Sequence, residues 1–97
     1  MKPNLEESRR HGVEELQTLR GMVLAWREGY LQTAPPGGGE EYLFLCEDFH
    51  LEIEEYVYPY LRRMVITEHI DEVQAGELLE FCSRQVSELR EYLLGSE

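Results

Sequence analysis

The chain has no apolar run approaching the ~20 residues that span a bilayer, and among its 97 residues there is one tryptophan and there are only two cysteines. The first absence excludes a membrane-spanning helix. The opening Met-Lys-Pro-Asn-Leu-Glu-Glu also lacks the apolar centre of a secretory leader. The expected location is the cytoplasm, without a membrane partner. Cys46 and Cys82 have no Cys-x-x-Cys spacing, and both fall on apolar stripes, where a free thiol behaves as a small buried hydrophobe. Positive charge is scarce as well: nine Lys and Arg against twenty Asp and Glu leave a net charge of −11. Phosphate backbones are bound by clustered cations, so nucleic acid is not an expected partner. The same acidity suits a basic protein target, as an inhibitor or immunity-type protein would have.

Catalytic signatures are missing too. No Gly-x-Ser-x-Gly elbow occurs, and no strand-turn-helix context exists for one. The Gly-rich stretch Gly37-Gly38-Gly39 is followed by Glu40 and Glu41 rather than Lys-Ser/Thr, and carboxylates at a helix start repel phosphate.

What is present is helical periodicity in three stretches of one small domain spanning residues 1–97. Asn4-Leu5-Glu6-Glu7 has the form of a capping box, and Leu5, Ser8, Gly12, Leu16, Leu19, Val23, Trp26 and Tyr30 follow at helical spacing, which predicts a first helix over about 5–31. Gly12 lies inside that stripe, where a missing side chain lets another backbone come close. Pro35, Pro36 and three glycines break the chain over 33–39. A second helix is predicted over about 41–67, with Pro59 removing one backbone bond and kinking or opening it locally. Asp71-Glu72-Val73-Gln74 is a second capping box, and a third helix follows over about 72–94, with Gly95 as its stop. The fold class is all-α, an antiparallel up-down-up three-helix bundle.

The second helix is apolar around too much of its circumference. With Phe49 at 0°, one stripe from Tyr42 to Met64 covers roughly −40° to 80°, and Leu43, Leu51, Tyr58, Leu61 and Val65 form a second line at about 120° to 200°. Val13, Leu24 and Leu31 form a second line on the first helix. Together with Phe44, Leu51 and Tyr58 they exceed what a monomer of this size covers, which predicts an isologous homodimer through the first two helices.

Glu47, His50 and Glu54 interrupt the second line. Glu-x-x-His on one helix face is the arrangement found in ferritin-like di-iron carboxylate bundles, although those carry two such motifs and two further glutamates. A two-fold mate would supply the second copy. The resemblance covers a few residues, does not make the chain a member of that family, and implies iron, manganese or zinc as metal. Against it, eighteen glutamates and three histidines make the spacing easy to reach by chance, and a histidine satisfied by hydrogen bonding is the favoured reading. A pH-sensitive histidine at an interface is a third option. The leading expectation is a non-enzymatic interaction or assembly module without a cofactor. A metal-binding helical protein and an acidic protein that binds a basic target are the alternatives.

Overall fold

The computed structural model describes residues 4–94 as three helices: α1 (Leu5–Thr33), α2 (Glu40–Ile66) and α3 (Glu72–Leu94). No strand occurs among the described residues. Gly95, expected to stop α3, lies outside them. Helices of this length joined by five or six residues must fold back on one another. α2 accordingly runs antiparallel to α1 and α3, and α1 runs parallel to α3. All three pack mutually, so the bundle is triangular rather than a layer with α2 in the middle. The result is a rod of 57 × 20 × 18 Å.

Local chemistry explains the helix ends. Asn4 Oδ1 accepts from the Glu6 amide at 2.7 Å, satisfying a donor that the first turn leaves open. The reciprocal bond expected from Glu7 is not made among the described residues. At α3 the box is complete: Asp71 Oδ1 accepts from the Gln74 amide at 2.8 Å, and Gln74 Oε1 accepts from the Asp71 amide at 2.9 Å. α2 continues across Pro59 as helix. It ends in a Schellman-type turn, in which the His69 amide reaches the Met64 carbonyl at 2.9 Å and the Glu68 amide reaches Val65 at 3.1 Å. That turn holds Glu68 at φ 61°, a conformation in which a side chain is strained.

The core is one cluster. Leu16, Leu19 and Val23 of α1 meet Phe49, Ile53 and Val57 of α2 and Leu78, Cys82 and Leu89 of α3, and Ile70 closes the end near the α2–α3 turn. Gly12 is what lets that turn seat. A Cβ at position 12 would overlap the His69 carbonyl and crowd Ile70 Cγ2 at 2.9 Å. The close backbone approach expected from a glycine in an apolar stripe is present. The α1–α3 seam, in contrast, is stitched by arginines. Arg20 lies 5.7 Å above the Phe81 ring, and Arg27 donates to Gln85 and, at 2.9 Å, to Glu88.

Two substitutions test this end of the rod. Gly12→Ala has no room to relax against backbone and lowers the melting temperature by roughly 10 °C or more. Glu68→Gly releases the left-handed strain and raises it by about 4–8 °C, measured by thermal unfolding under the same conditions.

Candidate functional site

The ionisable trio sits on the flank of α2 that faces α3. Glu47, His50 and Glu54 are all exposed. His50 Nε2 lies 3.3 Å from Glu54 Oε2, one helical turn on. Glu47 shares the face, but among the described residues no three of His, Cys, Asp and Glu gather so that one metal ion could be held. A single chain thus offers a His–Glu pair rather than a ligand set. Neither Arg20 nor Arg27 of α1 pairs with these glutamates: Arg20 lies over Phe81, and Arg27 donates to Gln85 and Glu88.

Around the trio runs an open groove of about 510 Å³, bounded by Leu43, Cys46, Glu47 and His50 of α2 and by Val86 and Arg90 of α3. Farther along the same seam a second hollow of about 220 Å³ lies between Tyr58, Leu61 and Val65 and the α3 residues Ala75 and Leu79. The second apolar line of α2 therefore borders α3. It has an ordering that the three expected interface residues only began to show. Phe44, Leu51, Tyr58 and Val65 recur every seventh residue, a spacing that drifts only ~20° per step along a straight helix. Phe44 is 62% and Leu51 50% exposed, Tyr58 is at the margin of exposure and Val65 is half-buried.

The second line of α1 is placed differently. Leu31 packs against the core cluster, and Val13 and Leu24 are exposed. Both lie about 20–60° beyond Arg20 and Arg27, the residues that reach α3. The lines on α1 and α2 thus flank α3 from opposite sides and do not form one continuous α1–α2 surface. The helical wheel showed each line; which way each faces depends on the closure of the triangle, which periodicity does not encode.

Comparison with known protein families, with curated proteins and with solved structures returned no match. The chemistry of the site itself therefore carries the reading. Both cysteines are free and buried. Burial pushes the Cys82 thiol up to about 11, and burial also raises Cys46, with Arg90 pulling it down by less. Cys46 stands one turn from His50, a relation visible in the spacing, yet burial disfavours its thiolate.

The other missed polar features are two clasps between α1 and α2. The Tyr30 hydroxyl donates to Glu52 at 2.9 Å, and the Tyr60 hydroxyl donates to Glu15 at 2.8 Å. Burial first, then the Glu52 bond and the charges of Glu52 and Asp48, hold the Tyr30 phenol well above its ordinary value of 10.0. Tyr60 is raised chiefly by its bond to Glu15. A group whose folded value is raised contributes its full stability below the unfolded value and loses it as pH rises toward the folded one. Stability therefore falls as pH climbs past about 10. Tyr30→Phe has a shallower alkaline slope, read by urea unfolding at successive pH values.

Proposed function

We propose that the protein is a non-enzymatic cytoplasmic assembly module that works as a two-fold homodimer through the exposed ladder of α2. The observation that carries this is the self-complementarity of the ladder. In an antiparallel pairing of two α2 helices about an axis between positions 54 and 55, position i meets position 109 − i of the mate. Phe44 then packs on the partner subunit's Val65, and Leu51 packs on the partner subunit's Tyr58. Glu47 faces the partner subunit's Arg62. Four apolar contacts and two ion pairs arise from one operation, which is the property an isologous interface requires. Near-antiparallel helices with a seven-residue apolar repeat interlock at a small crossing angle, so two three-helix rods would join into a larger bundle.

Charge supports the same face. Two chains of net charge −11 repel, and they meet best where each is locally near balance. Along this seam Arg62 and Arg90 offset two of the three negative charges of Glu47, Glu54 and Glu55, a smaller acidic excess than the chain's average. The interface is centred on α2 with α3 at its margin, rather than shared between α1 and α2.

The unfavourable element is at the axis, where Glu54 meets the partner subunit's Glu55 with His50 one turn away. That crowding of carboxylates beside a histidine favours a second reading, in which a divalent iron, manganese or zinc ion bridges the two chains through Glu54 and His50 with Glu47 nearby. Metal analysis of purified protein tests it: stoichiometric metal that His50→Ala removes supports it, and metal-free protein after metal-replete growth rejects it.

Sedimentation velocity tests the dimer. The unmodified chain sediments as a dimer at micromolar concentration, and Leu51→Glu sediments as a monomer with its helicity intact. Glu47→Arg sets like charges opposite each other and weakens the dimer at least tenfold. Adding Arg62→Glu restores it, because the exchanged charges pair again. A strict monomer for the unmodified chain, or no recovery in the double variant, rejects the interface.

A further inference from the structure

The seam between α1 and α2, on the side away from α3, has a different character from the dimer ladder. Its centre is aromatic. Trp26 and Tyr56 stand with ring centroids 6.2 Å apart at an interplanar angle of 55°, and Tyr56 is 60% exposed although nothing in the bundle needs it there. Its margin is acidic. Glu52 lies one turn before Tyr56 on α2 and Asp48 one turn before that, while Glu15 extends the rim from α1. Arg63 is the one cation that α2 places along this line.

Glu52 is half-buried and accepts from Tyr30 through Oε1, and its second oxygen has no side-chain hydrogen bond or ion pair among the described residues. Asp48 is exposed and makes no ion pair among the described residues. An aromatic floor with carboxylates along one edge matches one chemistry above others. A guanidinium stacks its plane on an aromatic ring and offers paired N–H donors to a carboxylate, which an ammonium does less well. The chain's own Arg20 on Phe81 shows the first half of that arrangement.

We infer that the α1–α2 seam is a docking surface for an arginine-rich segment of a partner protein, seated across Trp26 and Tyr56 with its guanidinium groups on Asp48 and Glu52. Charge complementarity draws the segment in, and the aromatic pair fixes where it binds. The inference rests on the protein being an interaction module and not on the α2 ladder, so a monomeric protein that binds at this seam would sink the dimer alone.

The single tryptophan of the chain lies in the surface, so its fluorescence reports occupancy directly. The probe is a nona-arginine peptide titrated into the full chain at low salt. Saturable change of Trp26 emission is expected, with affinity falling steeply as salt is raised. Asp48→Asn with Glu52→Gln raises the dissociation constant at least tenfold; the side-chain amide that Glu52→Gln introduces keeps an oxygen to accept from Tyr30, so the clasp survives. Tyr56→Ala weakens binding by a similar factor. Glu80→Gln with Glu91→Gln removes the same charge from α3 and changes the constant less than twofold. Nona-lysine binds several-fold more weakly than nona-arginine. Equal weakening by the two double variants, or equal affinity for the two peptides, overturns the inference, because binding then follows overall charge. Helicity measured by circular dichroism confirms that each variant is folded.

Discussion

α2 carries apolar side chains over more of its circumference than α1 and α3 bury, and the rest of the structure depends on how that excess is handled. Phe49, Ile53 and Val57 are fully enclosed, and Leu61 and Met64 complete the buried edge. Phe44, Leu51 and Tyr58 are left outside. Burying an apolar side chain of this size is worth about 1.5–3 kcal/mol, so a ladder of them is a substantial driving force in a domain whose whole stability is of the order of 5–15 kcal/mol. The proposed two-fold uses that surface and gives Glu47 and Arg62 an oppositely charged neighbour each.

Polar contacts decide which helix lies where. Hydrophobic burial is non-directional and would accept several arrangements of three amphipathic rods. The α1–α3 seam is specified by Arg27 on Gln85 and Glu88 and by Arg20 on Phe81, and the α1–α2 seam by the tyrosine clasps to Glu52 and Glu15. Each requires one axial register. Gly12 fixes the same register by a different route, because only at position 12 can the His69 carbonyl approach α1. Eight of the nine basic residues are arginine, and those at the α1–α3 seam act through planar, multi-donor geometry that lysine lacks.

Much of the fold was legible because it rests on local signals. The two caps, the Pro/Gly break, the role of Gly12 and the core stripes from Leu16 to Val23 and from Phe49 to Met64 follow from spacing within a few residues. Leu61 shows the limit: on the wheel it belongs to the second line, yet it is buried, because α3 packs on that side of α2. The candidate site was less legible for the same reason. Glu47, His50 and Glu54 do share a face, but Leu31 joins the core margin, and Val13 and Leu24 look out on the far side of α3 from Leu51 and Tyr58. Gln85 stands at helical spacing between Cys82 and Leu89, a polar residue among buried ones, which was a signal that it needs a partner; that the partner is Arg27 follows from the parallel packing of α1 and α3, a tertiary fact.

The pairing register of α2 is the central claim, and oxidative cross-linking measures it most directly. Position 51 faces position 58 of the mate in the antiparallel two-fold, while positions 51 and 58 of one chain stand roughly 10 Å apart along the helix, too far for an internal disulfide. Leu51→Cys combined with Tyr58→Cys should oxidise to a covalent dimer, and Leu51→Cys alone should not. A double variant that stays monomeric on a non-reducing gel, or a single variant that cross-links as fast, would contradict the arrangement.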